Sequence, residues 1–184
     1  MKGMSKGSGT RSGLLWEVER LLNETKELPQ ILLMENVPQV HGKKNIADFE
    51  KWLEFLTSKG YKTFWQDLNA KDYGVAQSRN RCFAISLLGE YEYIFPTPVK
   101  LTKTVKDYLE NNVDERYYIK TEKAKKLIDT LISNGKLPRE REVVSVTNLG
   151  GTKEPISAKE ITIAQTLCAR DYKGPSHQSF MIVI

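Results

Sequence analysis

The sequence predicts an α/β fold in its first half, because helical and extended apolar patterns alternate there. Apolar residues recur at helical spacing over 14–22 and again over 46–56, where Gly60 follows as a C-cap. Three segments are predicted to be strands: 31–34, 61–68 and 82–88. A continuous run such as 31–34 is typical of a strand buried on both faces, as in a parallel sheet.

The pattern changes after Pro96 and Pro98. The remainder predicts a smaller, irregular mixed lobe in which short helices and strands are separated by polar stretches. Its expected elements are a short helix at 105–109, a charged helix at 124–131 closed by Gly135 and Pro138, and strands at 143–146 and 180–184.

Composition excludes several classes of protein. The chain has 184 residues, 40% of them hydrophobic, and a net charge of +5 from 28 basic and 23 acidic residues. No stretch approaches the ~20 apolar residues of a membrane span, and the polar N-terminus has no signal-peptide core. Two distant cysteines suggest reduced thiols in a cytoplasmic protein. The mildly basic charge permits a nucleic-acid partner without establishing one.

The first candidate for chemistry is Glu35-Asn36-Val37, directly after an apolar run. Ligands of open α/β sheets bind at the carboxyl ends of strands, where a carboxylate can hydrogen-bond a substrate edge. The alternative is a solvated glutamate at the end of a strand.

The second candidate is the segment 72–81, which leads into the third strand. Gln77, Arg79 and Arg81 alternate, so an extended chain places them on one face. Arginine suits recognition of planar acceptors or phosphate. The alternative is a sheet edge protected by charge.

The third candidate is the segment 10–17, an N-cap region before an amphipathic helix. The nearby Gly7-Ser8-Gly9 does not form a dinucleotide fingerprint, because position 12 is Ser and no strand precedes it. Taken in their order along the chain, the three segments resemble those of the cytosine-5 DNA methyltransferase family. The stretch 164–172 is similar to the Thr-Leu segment that members of this family place against DNA.

The resemblance implies a part of a doubly wound S-adenosylmethionine-dependent methyltransferase sheet. Residues 1–98 would be the C-terminal half of the catalytic domain, and 99–184 a partial target-recognition region. Family members flip a cytosine out of duplex DNA, attack C6 with a cysteine thiolate and methylate C5. Double-stranded DNA and S-adenosylmethionine are therefore the expected partner and cofactor. Whether the enzyme serves restriction-modification or stands alone is left open by the sequence.

The resemblance also implies roles for individual residues. Glu35 matches the group that holds N3 and the exocyclic amine of cytosine, and Arg81 the guanidinium at O2. Arg79 and Gln77 take supporting or DNA-contacting positions, and Asn36 orients the surroundings of Glu35. Leu14 matches a cofactor contact, and the expected DNA contacts are Arg11, Thr166, Leu167 and Arg170.

The departures from the family pattern are informative. The 184 residues contain no Pro-Cys-Gln nucleophile motif, and Cys82 and Cys168 are interpreted as ordinary buried or semi-buried cysteines. The glycine-rich cofactor motif is also missing. We therefore expect a fragment with an incomplete cofactor site that is inactive alone, and self-association or a complementary methyltransferase fragment is plausible.

The same sequence is compatible with two other functions. The chain could be a non-catalytic DNA-binding module, or one subunit of a split methyltransferase, and Glu35 discriminates because a backbone binder has no use for a carboxylate beside DNA. No metal site is predicted, since His41 and His177 are isolated in the sequence.

Overall fold

The computed structural model describes residues 15–118, 120–137, 143–147, 157–166 and 180–183. The chain divides into two compact units, Met1–Asn69 with Asn80–Pro98, and Ala70–Arg79 with Val99–Ile184. Within the described part of the chain, no helix combines the length and hydropathy needed to cross a membrane.

Helices and strands alternate along the first unit, and mostly strands follow in the second. In chain order the elements are α1 (Leu15–Glu24), β1 (Ile31–Asn36), α2 (Ile46–Ser58), β2 (Tyr61–Asn69), β3 (Gln77–Ser78), β4 (Asn80–Leu88), α3 (Glu122–Ser133), β5 (Val143–Thr147), β6 (Ser157–Glu160), β7 (Ala164–Gln165) and β8 (Phe180–Val183).

The sheet of the first unit has the order β1-β4-β2, and β4 is antiparallel to both neighbours. The prediction that the strand at 31–34 pairs in parallel is therefore wrong, because its partner β4 is antiparallel to it. Burial on both faces is also wrong within the described residues, because Ile31 and Leu33 are 63% and 67% exposed. An apolar run predicts a strand, but the direction of its partner depends on the connections between strands.

One face of this sheet carries the core. Strand β4 alternates, with Cys82, Ala84 and Ser86 buried and the residues between them half-buried. Phe49 of α2 packs against Val40 and Cys82, and a second cluster gathers Leu22, Trp52, Leu56 and Tyr61. Each large apolar side chain buried in this way contributes about 1.5–3 kcal/mol to folding.

The predicted end of α2 is confirmed at Gly60. Its φ is +88°, and its amide donates to the Thr57 carbonyl oxygen at 2.9 Å. An L-residue with a Cβ rarely adopts this left-handed conformation, so glycine is the residue that lets the chain turn from α2 into β2.

The second unit contains α3 and two small sheets. Strand β5 lies between β6 and β8, antiparallel to both, and β3 pairs in parallel with β7.

The helix expected at 105–109 is a 3-10 turn at Val105–Tyr108. Its capping box joins Thr104 and Asp107, and hydrogen bonds from the Thr104 amide and hydroxyl lower the pKa of Asp107. Strands β3, β6 and β7 were not predicted, because segments of two to four mostly polar residues carry no clear alternation.

Candidate functional site

Glu35 and Arg81 form an ion pair at one end of the sheet of the first unit. Glu35 is opposite Phe83 in the register of β1 and β4, and Arg81, two residues before Phe83, lies on the same face. The Arg81 Nε is 3.0 Å from the Glu35 Oε1. The antiparallel direction of β4 brings the last residues of β1 beside the first residues of β4. Glu35 and Arg81 therefore meet although 46 positions separate them in the sequence.

This pair is accessible on its carboxylate side. The Glu35 side chain is 44% exposed, whereas the Arg81 side chain is 17% exposed. Arg81 Nη1 also donates to the Asn80 carbonyl oxygen at 2.7 Å, which fixes the orientation of the guanidinium. The arrangement presents a carboxylate backed by a held cation, and a ligand with adjacent donor and acceptor atoms can bind to such a pair.

Asn36 stabilises the backbone at the end of β1. Its Oδ1 accepts a hydrogen bond from the Val37 amide at 2.8 Å. Asn36 is paired with Cys82 in the register, so its side chain belongs to the opposite face from Glu35. Its supporting role is therefore on the backbone that follows Glu35.

The segment 77–81 does not form one strand, so the expected single face of Gln77, Arg79 and Arg81 is wrong. Gln77 lies in β3, which pairs with β7, whereas Arg81 lies in β4 of the other sheet. The Arg79 carbonyl oxygen accepts from the Ala70 amide at 3.0 Å, so this residue closes the loop 70–79 within the second unit. Strict alternation requires an uninterrupted strand, and the chain leaves one sheet and enters another at Arg79.

Thr166 uses its hydroxyl within the second unit. Its Oγ1 donates to the Ser78 carbonyl oxygen at 2.6 Å, next to the hydrogen bond of 2.8 Å from the Ala164 amide to the Ala76 carbonyl oxygen. A threonine hydroxyl has one hydrogen to donate, and phosphate oxygens only accept. In this conformation Thr166 therefore positions β7 on the segment that contains Gln77, whose Nε2 is 3.5 Å from the Gln165 carbonyl oxygen.

The remaining predicted contacts lie outside the described residues. These are the cofactor contact Leu14 and the DNA contacts Arg11, Leu167 and Arg170, together with Cys168.

A second polar group, which the sequence interpretation missed, lies on the other face of the sheet of the first unit. His41 Nε2 is 2.9 Å from Asp67 Oδ1, and one donor atom each from His41, Asp67 and Cys82 lie within 4.8 Å of one another. Burial and the negative charge of Asp67 raise the pKa of the Cys82 thiol to about 11. His41 is thus not isolated in the structure, and only the register of β2 and β4, which pairs Asp67 with Cys82, could have revealed the group.

The sequence is similar to those of known DNA methyltransferases. Residues 1–161 match the family described as C-5 cytosine-specific DNA methylase. The chain is 44% identical over 119 residues to the type II methyltransferase M2.ScrFI of Lactococcus lactis subsp. cremoris, covering 64% of this chain and 32% of that protein. It is 46% identical over 117 residues to the orphan methyltransferase M.SssI of Spiroplasma monobiae, covering 62% and 30%. The matched region thus spans about a third of the length of these relatives.

Solved structures agree on the fold. The Entamoeba histolytica methyltransferase EhMeth superposes with a TM-score of 0.50 at 22% identity, over 68% of this chain and 36% of that one. The S. pombe Dnmt2 methyltransferase has a TM-score of 0.50 at 20% identity, over 70% and 43%. At these identities the likeness concerns the fold, which is that of a methyltransferase.

Proposed function

The chain belongs to the C-5 cytosine-specific DNA methylase family, and on that premise we propose that it supplies the base-holding part of a DNA (cytosine-5)-methyltransferase. The observation that carries the proposal is the ion pair of 3.0 Å between Glu35 and Arg81 at the end of the sheet. In this proposal residues 1–98 contribute to the catalytic domain and 99–184 to target recognition.

The chemistry of cytosine explains why such a pair is useful. Attack of a thiolate at C6 moves negative charge into the ring, chiefly toward N3 and O2. A guanidinium at O2 stabilises that charge, and Arg81 is fixed for this by its bond to the Asn80 carbonyl oxygen. We propose that the Glu35 carboxyl holds N3 and the exocyclic amine: one oxygen accepts from the amine, and a proton taken up from solvent as the cytosine binds joins the other oxygen to N3. Thymine has a proton on N3 and a carbonyl in place of the amine, so it cannot make the same pair of bonds.

The surrounding residues would hold this pair in place. Asn36 holds the backbone after Glu35 through the Val37 amide. Arg79 and Gln77 are proposed to contact DNA or to support the recognition region, and Arg11, Thr166, Leu167 and Arg170 to lie against DNA. Flipping of the target cytosine brings its Watson–Crick edge to Glu35.

S-adenosylmethionine would supply the methyl group. Leu14, which the family resemblance assigns to the cofactor, lies outside the described residues. The chain also contains no Pro-Cys-Gln motif, and the buried Cys82 has the wrong context and too high a pKa for a nucleophile. We therefore propose that the 184-residue chain alone does not methylate DNA.

A chimera tests the proposed function. The matched region of M.SssI, 46% identical over 117 residues, is replaced by the corresponding residues of this chain. Transfer of labelled methyl groups to duplex DNA is then compared between the chimera, the parent enzyme and the isolated chain. We expect transfer by the chimera and none by the chain alone.

Two results would contradict parts of this proposal, and a third would identify the chain as part of a split enzyme. Methylation by the isolated chain would refute its inactivity. A folded chimera that binds DNA but transfers no methyl group would refute the catalytic role and favour a non-catalytic DNA-binding module. Activity of the chain only after addition of a second polypeptide carrying Pro-Cys-Gln would identify one subunit of a split enzyme.

A further inference from the structure

A group of three potential metal ligands lies on the face of the sheet opposite to Glu35. We propose that His41, Asp67 and Cys82 form a binding site for a divalent cation of the zinc class. The proposal concerns a site of its own and does not depend on the proposed methyltransferase function.

The three ligands come from three different elements. His41 ends the 3-10 turn Pro38–His41, Asp67 lies near the end of β2, and Cys82 is near the start of β4. Their donor atoms lie within 4.8 Å of one another. Tetrahedral zinc with bonds of about 2.0–2.3 Å places its ligand atoms about 3.3–3.6 Å apart. A separation at the 4.8 Å limit must therefore close by about 1 Å, and the 2.9 Å between His41 and Asp67 must open slightly.

The cluster is already partly arranged for binding. The His41 ring packs beside two aromatic rings that also contact each other, with centroid distances of 4.8 Å to Trp65 and 6.2 Å to Phe49. Asp67 and Cys82 are direct partners across β2 and β4, so backbone hydrogen bonds fix their separation. Closing the cluster therefore requires rotation of side chains rather than movement of strands.

The chemistry of the donors selects the metal. One imidazole nitrogen, one carboxylate oxygen and one thiolate sulfur suit Zn²⁺, whereas Mg²⁺ and Ca²⁺ prefer oxygen ligands alone. Cys82 is fully buried, whereas the His41 and Asp67 side chains are 24% and 31% exposed. A cation can therefore enter past His41 and Asp67, and water from the same side can complete a four-coordinate site.

Binding exchanges protons for the cation. The Cys82 thiol releases its proton to solvent as the sulfur–metal bond forms. His41 binds through the Nε2 lone pair, and its remaining proton moves to Nδ1 by exchange with water. Asp67 gives up the hydrogen bond from His41 and binds through a carboxylate oxygen. The metal would then tie the turn that follows Glu35 to the ends of β2 and β4.

Cobalt absorption tests the site directly. The full chain is purified without an affinity tag, reduced, treated with a chelator, freed of the chelator and titrated with Co²⁺. We expect one equivalent to produce visible bands of tetrahedral intensity and a near-ultraviolet band of thiolate-to-cobalt charge transfer. Zn²⁺ should abolish these bands by displacing Co²⁺, and bound zinc should raise the thermal midpoint of unfolding.

The chain offers a matched control for the sulfur ligand. It has two cysteines, so Cys168→Ser leaves Cys82 as the only thiol without altering the cluster. We expect the charge-transfer band to persist in Cys168→Ser and to vanish in Cys82→Ser, and His41→Gln and Asp67→Asn to weaken Co²⁺ binding at least tenfold. Far-ultraviolet circular dichroism checks that each variant is folded.

Two results would overturn the proposal. The first is the absence of a charge-transfer band in folded Cys168→Ser at millimolar Co²⁺. The second is a band with unchanged affinity in folded His41→Gln and Asp67→Asn. The first result is decisive even if the Cys82→Ser variant fails to fold, because the Cys168→Ser protein keeps all three proposed ligands.

Discussion

Arg81 and Cys82 are consecutive residues of β4 whose side chains lie on opposite faces of the same sheet. Arg81 pairs with Glu35 at 3.0 Å, whereas Cys82 is fully buried in the core with Val40 and Phe49. The strand therefore carries the proposed base-holding cation on one face and is anchored by the core on the other. A change in the packing of Cys82 would be transmitted to the backbone that positions Arg81.

Glu35→Gln in the chimeric enzyme should reduce methyl transfer at least ~100-fold while the Kd for DNA changes less than ~3-fold. Glutamine keeps the size of the side chain and can still donate an amide hydrogen bond to N3, but it has no acidic proton to transfer to N3 as negative charge develops in the ring. The rate of methyl transfer at saturating cofactor and the DNA affinity by fluorescence anisotropy are the two measurements.

Glu54→Gln is the matched control for this substitution, because Glu54 is exposed on α2, away from the end of β1. The control should keep the full rate. Equal losses of rate and DNA affinity in Glu35→Gln would instead show that Glu35 has a structural role.

Arg81→Lys should reduce methyl transfer by about 10–100-fold, and Arg81→Gln should reduce it further. Lysine keeps the charge but lacks the planar fork that here contacts both the Glu35 carboxylate and the Asn80 carbonyl oxygen. The rates of the two variants are compared at the same DNA and cofactor concentrations. A lysine variant with the full rate would show that only the charge at this position matters.

The sequence predicted the longer elements closely, because their patterns extend over many residues. Helix α2 and strands β2 and β4 differ from the expected ranges by at most two residues at either end. Glu35 and Arg81 were both selected from the motifs that surround them. What spacing could not show is that they form an ion pair, since this depends on the antiparallel register of β1 and β4.

The errors have physical causes of the same kind. Alternation between Gln77 and Arg81 suggested one face, but the chain changes sheets at Arg79. His41 looked isolated because Asp67 and Cys82 follow it 26 and 41 positions later in the sequence. Contacts across strands are decided by tertiary packing, which periodicity along one strand does not report.

Stability at alkaline pH should depend on Cys82. Burial and the neighbouring Asp67 raise the pKa of its thiol from the ordinary 9.0 to about 11, so the folded state holds this proton more tightly than the unfolded state. Its contribution is therefore complete below about pH 9 and is lost as the pH rises through about 11. In the presence of a chelator, the difference in free energy of unfolding between the natural chain and Cys82→Ala should shrink by about 2 kcal/mol from about pH 8 to pH 10.5.

Urea unfolding followed by tryptophan fluorescence measures this difference for the first unit, which contains Cys82, because Trp16, Trp52 and Trp65 all lie there. The cost of the cavity left by alanine does not depend on pH, so it cancels between the two pH values. A constant difference across this range would show that Cys82 ionises with an ordinary pKa.

Thr166→Val should loosen the pairing of β7 with β3 in the second unit. Valine has the shape of threonine but cannot donate to the Ser78 carbonyl oxygen, which the Thr166 hydroxyl contacts at 2.6 Å. Losing this bond should cost about 1 kcal/mol, which corresponds to roughly fivefold faster hydrogen exchange of the Ala164 amide, the neighbouring donor to Ala76. Thr166→Ser keeps the hydroxyl and should exchange at the natural rate. Equal exchange in the valine and serine variants would show that the hydroxyl does not hold β7 and leave contact with DNA as its role.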